Sequence, residues 1–446
     1  MPALAGLPLY SYLRCMAADQ SMVQVITERT QSPRLRYVMD FIFCQVLDGQ
    51  YQLLRQQDTP DKFIPLIDYR SGQKRSDAIH IWDCGQLDGW IDPDAWISTQ
   101  ENSPSTFSSD IFAEIFFHLS RMEEYQSLPK DEYGRHRAVD SYLWHKNKLA
   151  IPVVDEKIEE LRKALNKAGA ELNYRRDFQF TATYDVDYPW LFLNRGWKQN
   201  MLGLAGDFLR RRWPILKDRL YVWMGRLKDP YDLWEEIISL HRSSNVPAKF
   251  FLLFTQRKGV DPRVPYHSTA YKGLVRQLKA IGEIGWHPGY HSLDKNGRWR
   301  MEMKRFTDLL GASPSFSRQH FLRLEWPKTY RKLLSAGIEA DYTLGYADQP
   351  GFRAGTCHPF YWYDLENEKV TQLQLFPLAF MEVTFNRYLG LSPKESFEKM
   401  IIIEMQVRKY KGHLIGLWHN NSFYPKEGWN SEWLEVYLNF IKRFEI

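Results

Sequence analysis

A (β/α) barrel with an α+β unit in front of it is the fold class that this sequence predicts. Three observations predict it. At 446 residues the chain exceeds one ordinary core. From about Val153 onward, strand-length apolar runs alternate with amphipathic helical stretches, the pattern of a parallel sheet with helices outside it. The residues with the most chemistry fall at the C-terminal ends of the predicted strands, where such folds gather their functional groups. The expected division is residues 1–150 for the first unit and 151–446 for the barrel.

In the first unit, residues 34–47 form an apolar-rich helix, and 51–54, 63–68 and 78–84 read as strands, the last with partial alternation. A polar, proline-containing loop at 102–109 leads to Asp110, which caps an amphipathic helix over 111–125. A polar loop follows at 129–137. In the barrel, a helix at 155–168 carries its charges on the outer face, and a strand follows at 178–184. Helices at 232–242, 269–281, 295–310, 328–335 and 393–409 then separate strands at 248–254, 284–286, 315–321, 340–343, 373–377 and 414–418.

Composition narrows the function class. A net charge of +5 over this length gives no electrostatic footprint for nucleic acid, so no nucleic-acid partner is expected. Cys15, Cys44, Cys84 and Cys357 are scattered with no CxxC pair, which argues against a zinc ribbon and a disulfide framework. The first ten residues lack a basic segment followed by a long apolar one, and no run of eighteen apolar residues occurs, so a cytoplasmic location is expected. The 16 Trp, 25 Tyr and 26 Phe suit a large core before they suit a sugar cleft.

A long connection at 188–227 interleaves Arg195, Lys198, Arg210, Arg211, Arg212, Lys217, Arg219 and Arg226 with Trp and Leu, against only Asp207 and Asp218. Such a basic amphipathic stretch suits peripheral contact with a membrane interface, or a helical lid packed on the barrel with its basic face in solvent.

Two strings carry the chemistry. In Thr183 to Asp187, strand geometry puts Asp185 and Asp187 on one face. Two close carboxylates repel each other unless a cation lies beside them. In Gly285 to Ser292, His287 and His291 flank Pro288 and Gly289, in a loop able to aim both rings at one ion. One carboxylate and two imidazoles make a three-donor metal site, with a second carboxylate spare for proton transfer: the equipment of a metal-assisted hydrolase. Downstream, Arg318 is a candidate to hold a carboxylate, or an ordinary ion-pair partner. His419 closes the last strand and is a candidate general acid.

The order Thr-Tyr-Asp-Val-Asp, His-x-x-x-His, Arg-x-x-Phe, Leu-Trp-His resembles the polysaccharide deacetylase family (NodB-homology, carbohydrate esterase 4) over residues 175–446. The segments at 341–348 and 351–360 look like one bacterial subgroup, in which a region similar to residues 1–150, including 117–125, precedes the deacetylase domain. The resemblance implies a distorted (β/α) barrel of the NodB type. By position, it makes Asp185 the base, and Asp187, His287 and His291 the ligands of a divalent metal, for which zinc best suits an Asp-His-His set. Arg318 then orients the base, Phe321 takes the place of an aromatic whose N–H helps hold the oxyanion, and His419 is the acid. Asp341, or alternatively Asp348, is expected to tune His419.

The chain departs from the family at three places. The usual adjacent acids are here Asp185-x-Asp187, which leaves base and ligand roles exchangeable. The usual Pro is His320, a candidate to reshape the substrate groove or to reach water at the metal, and the usual Gly is Leu322. Arg353 and His358 are extra polar groups, candidates for reading a substrate anion or for structural hydrogen bonding. The implied activity is N-deacetylation of an acetylated amino sugar, in a surface polysaccharide or a lipid-linked precursor. An amidohydrolase on a non-sugar amide and a non-catalytic glycan-binding protein are the alternatives.

Overall fold

The computed structural model describes residues 21–71, 75–96, 106–256, 259–294, 298–425 and 428–445. The first ten residues, Cys15, the first half of the 102–109 loop and the start of the 295–310 helix lie outside them.

Two sheets organise the chain. The first is four-stranded, in the order β2-β1-β3-β4, with β1 Ser21–Thr27, β2 Gly49–Leu54, β3 Leu66–Arg70 and β4 Ile79–Trp82, all parallel. β1 is not among the expected strands, although it pairs with both β2 and β3. The helix expected over 34–47 begins at Pro33, capped by the Ser32 hydroxyl, and changes at Asp40 into a wider π-type turn. The helix starting at Ile111 is capped by Asp110, whose carboxylate accepts from the N–H groups of Phe112 and Ala113. It stops at Ser120, five residues before the expected end, because Arg121 takes the left-handed conformation (φ 55°).

The second sheet has nine strands in the order β10-β11-β9-β8-β7-β6-β5-β13-β12. They are β5 Gln179–Val186, β6 Ala248–Leu253, β7 Glu283–His287, β8 Phe316–Ser317, β9 Ala340–Asp341, β10 Phe360–Asp364, β11 Lys369–Leu375, β12 Phe380–Met381 and β13 His413–His419. All pairs are parallel except β10 with β11. The curled sheet stays open, with β10 and β12 as its edges, so the expected barrel is unclosed among the described residues.

Strand alternation sorts the faces. On β5, β6 and β13, residues such as Tyr184, Phe250, Leu252 and Trp418 join the large core cluster, while Phe251, Ile415 and Leu417 turn to a smaller apolar cluster on the other face. Thr181, Thr183 and Asp185 share that second face, and so do Gly285, His287 and His419 by the same period of two.

The two units share one core: the large cluster runs from Val23 to Phe444. Polar ties cross between them as well. Tyr37 donates to the Tyr361 carbonyl (2.7 Å), and Arg34 pairs with Glu368. The buried Glu124 carboxylate accepts from Arg121, Arg353 and the Trp326 indole N–H. Cys44 is disulfide-bonded, so one bridge is present although the spacing predicts no disulfide framework.

His118 is fully buried between the units, and among the described residues neither ring nitrogen has a hydrogen-bond partner. Burial, helped by Arg121, depresses its pKa to about 3. The unfolded chain therefore takes up a proton near pH 6.5 that the folded chain refuses. Stability from this group is complete above pH 6.5 and is lost as pH falls towards 3. His118→Leu is expected to flatten the acid limb of a stability-against-pH curve by roughly 2–3 kcal/mol between pH 6.5 and 4. Denaturant midpoints measured across that range check it.

Candidate active site

Sheet register brings the distant motifs together. His419 pairs with Asp185 across β13 and β5, Leu253 pairs with His287 across β6 and β7, and Trp286 pairs with Ser317 across β7 and β8. Each functional side chain therefore stands at or just past the C-terminal end of its strand, on the face away from the large core.

Asp185 is buried and held by Arg318, whose Nη1 donates to Oδ1 at 3.0 Å. Arg318 is itself fully buried; its Nε donates to the Tyr342 carbonyl and its guanidinium lies 4.3 Å from the centre of the Phe251 ring. That three-sided seat fixes the carboxylate it grips.

Asp187 stands between two imidazoles. Its Oδ1 lies 3.3 Å from His287 Nε2 and its Oδ2 lies 3.5 Å from His320 Nε2. Each ring is oriented from behind: His287 Nδ1 donates to the Arg318 carbonyl, and His320 Nδ1 donates to Asp261 at 2.8 Å. Both Nε2 atoms therefore point at Asp187, and one donor atom from each of the three residues lies within 4.8 Å of the others. Without a cation, Asp187 sits well below the ordinary carboxylate range: burial opposes this, but His320 and His287 outweigh it. His320 is pushed up to about 9, burial again opposing and Asp187 and Asp261 prevailing.

The group fits a divalent cation on the structure's own evidence. Asp187 Oδ1 and His287 Nε2 are buried with no hydrogen-bond partner among the described residues. Such orphans are costly unless something else satisfies them. Two imidazoles and a carboxylate, backed by a carbonyl and a second carboxylate, match the donor set and outer support of zinc sites. A second group, Asp155, Cys357 and His358, is also close-packed. There the polar demand is already met: Asp155 accepts from Thr356 Oγ1 and from the Cys357 N–H and thiol, and His358 Nε2 bonds the Tyr410 carbonyl. That group ties the fold, and His358 reads no anion.

His419 closes β13 with its Nδ1–H and its backbone N–H both donating to Glu382 Oε1, at 2.8 Å each. Its Nε2 faces Asp187 Oδ2 at 4.0 Å. Burial lowers the ring's pKa, but Glu382 outweighs it, with Asp187 and Asp185 adding to the effect, and holds it at about 9.

Several expected residues stand elsewhere. His291 is half-exposed, with Nδ1 3.2 Å from Asp294, and is not in the donor group. The turn after β7 carries it outward. Gly289 there has no room for a side chain, since a Cβ would lie 2.3 Å from Thr255 Cγ2, and Tyr290 N–H is pinned to Asp261. His320 takes the third place because β8 lies beside β7 and the chain bends sharply after it, with Phe321 and Leu322 both left-handed (φ 62° and 54°). Asp341 is also far from its expected part: it accepts from Ser317 Oγ and from Thr343 N–H and Oγ1, joining the ends of β8 and β9, and burial raises its pKa to about 6. Asp348, the alternative, accepts from Ala138 N–H. The carboxylate behind His419 is Glu382. Arg353 is spent on Glu124 and the Gly345 carbonyl, so it reads no anion in the cleft. Phe321 stacks on Tyr133 from the first unit, with ring centres 4.7 Å apart.

Glu382 and Asp261 are not among the residues that the sequence points to. Glu382 follows a two-residue strand too short to show a period, and Asp261 lies in a loop. The only available signal for Glu382 was an acid directly after the apolar run 378–381.

A family of unknown function, DUF7033, matches residues 23–170. That span takes in the helix Val153–Lys167, which packs on Ile111–Ser120. No curated protein matches the chain. Among solved structures, a putative polysaccharide deacetylase from Mycobacterium smegmatis is similar at 17% identity and a TM-score of 0.39, covering 61% of this chain and 85% of that one. IcaB from Ammonifex degensii is similar at 16% identity and a TM-score of 0.22, covering 38% and 85%. A de-N-acetylase from Aggregatibacter actinomycetemcomitans is similar at 11% identity and a TM-score of 0.22, covering 38% and 88%.

Proposed function

We propose that this chain is a metal-dependent hydrolase that removes the acetyl group from an N-acetylated amino sugar. One observation carries the reading: an arginine-held carboxylate, a 2-His-1-carboxylate donor group and a carboxylate-backed histidine converge at the ends of β5, β7, β8 and β13. The motif order supports the sugar amide as the substrate class.

Asp187, His287 and His320 would hold the cation, with zinc the best match. Bound there, it supplies Lewis acidity to an acyl carbonyl and acidifies water. The protein's own groups do the rest. Asp185 takes the proton of the attacking water, and Arg318 keeps that carboxylate aimed. His419 gives the Nε2 proton to the departing amine. Glu382 fixes the ring with Nδ1–H towards itself, so that Nε2 is the atom presented to the cleft.

The test is acetate release by the purified full-length protein from N-acetylated sugars and from simple amides, with metal content measured on the same sample. Expected is bound divalent metal, release from acetylated sugars, and loss on chelation that zinc restores. Hydrolysis of simple amides alone would make it a non-sugar amidohydrolase. Neither metal nor release would leave a non-catalytic protein.

A further inference from the structure

The segment that leaves β5 just past Asp187 folds into a hairpin of two helices, Trp197–Leu209 and Trp213–Trp223. Its neck is stapled to the sheet. Asp229 accepts from the N–H groups of Leu191, Phe192 and Leu193, and the amide of Asn420, next to His419, donates to the Tyr188 and Tyr231 carbonyls. The neck of the hairpin is therefore anchored beside His419.

Its faces are the reverse of a packed lid. Of the eighteen large hydrophobic residues exposed among the described residues, ten lie at 197–227. Trp197, Leu202 and Leu209 are 73%, 71% and 79% exposed. In the first helix, Trp197, Met201, Leu202, Phe208 and Leu209 follow the spacing of one helical face, and that face points outward. A contiguous apolar surface of this kind marks a docking site.

Charge selects the occupant. The acids at 197–227 are Asp207 and Asp218, both turned inward: Asp207 pairs with Arg219, and Asp218 accepts from the Tyr424 hydroxyl at 2.8 Å. The exposed charges, Lys198, Arg210, Arg211, Arg212, Lys217 and Arg226, are all basic. Three of them crown the turn between the helices, flanked by Phe208, Leu209 and Trp213, whose Phe208 and Trp213 rings meet edge to face. Indole and aliphatic side chains outward beside guanidinium groups suit the boundary between anionic headgroups and acyl chains. No helix among the described residues is long and apolar enough to cross a membrane, so the contact lies in the plane of the interface.

We propose that the 197–227 hairpin docks this protein on an anionic lipid bilayer, with the Arg210–Arg212 turn on the headgroups and the Trp197–Leu209 face in the interface. The docking surface includes none of the reacting groups of the site, so its test and that of the hydrolase reading fail independently.

Flotation of the full-length protein with vesicles of phosphatidylcholine alone, and of phosphatidylcholine with phosphatidylglycerol, decides it. Expected is co-flotation with the anionic vesicles, and at least about tenfold less with the triple reversal Arg210→Glu, Arg211→Glu, Arg212→Glu. The pair Leu202→Ser, Leu209→Ser is expected to lose it similarly. All five side chains are exposed, and circular dichroism checks that the fold is kept. Absence of co-flotation would overturn the proposal. So would flotation unchanged in both variants, or a concentration-dependent dimer that the Leu pair abolishes, since that would assign the face to a second copy of the chain.

Discussion

His320→Ala is expected to lose bound divalent metal and roughly 100-fold or more in kcat/KM, while His291→Ala keeps its metal. The magnitude is a lower bound taken from outer support: removing a group behind a ligand already costs 10–100-fold in affinity or activity. His320 offers Nε2 directly to the donor group, and Asp261 orients it from behind. His291 has its Nδ1 on Asp294 at the surface. Metal analysis of the two variants side by side, with acetate release on the same samples, checks the contrast. Metal lost from His291→Ala but retained by His320→Ala would reverse the donor set and return it to the His-x-x-x-His pattern.

Glu382→Gln is expected to lower kcat by about 10²–10³-fold with KM little changed. The substitution preserves shape but removes the charge that fixes both the ring and its proton. Glu382 Oε1 accepts from the His419 ring, the His419 backbone and Ser422 Oγ, so the carboxylate is a single anchor for the end of β13. A general acid works only while protonated, and Glu382 is the strongest influence holding that proton on. The basic limb of the pH–rate profile is therefore expected to move to lower pH in the variant. Asp341→Asn makes the same chemical change at a carboxylate with no contact to His419. It is expected to lower thermal stability while leaving the pH profile in place. A shifted profile in Asp341→Asn, with none in Glu382→Gln, would restore Asp341 to the role the motif order implied.

The sequence contained more of the strands than of the turns. Alternation within five contiguous residues was enough to put Asp185 and Asp187 on one face, and the terminal position in an apolar run was enough to place His419 at a strand end. Such information is local: the period of two is a property of the backbone and survives whatever packs around it. Arg318 was readable for a similar reason, since it falls in the strand expected over 315–321, of which only Phe316–Ser317 is strand in the structure. The insertion's basic and apolar composition was equally plain, but whether its apolar side faces in or out is a question of packing.

The remainder depended on neighbours far away in the chain. Which histidine completes the donor group follows from β8 lying beside β7 and from two consecutive left-handed residues after His320. The partner of His419 directly follows a two-residue strand, β12, at the edge of the sheet opposite β10. Arg353 is taken out of the cleft by Glu124, more than two hundred residues earlier. By itself, the sequence determined the alternation of strands and helices, the paired acids and the strand-terminal imidazole, because each is encoded in a few consecutive residues. Only the tertiary structure decided the third donor, the anchoring carboxylate, the open edge of the sheet and the outward face of the hairpin. Those depend on which segments meet, and loop side chains take their direction from contacts that no local period specifies.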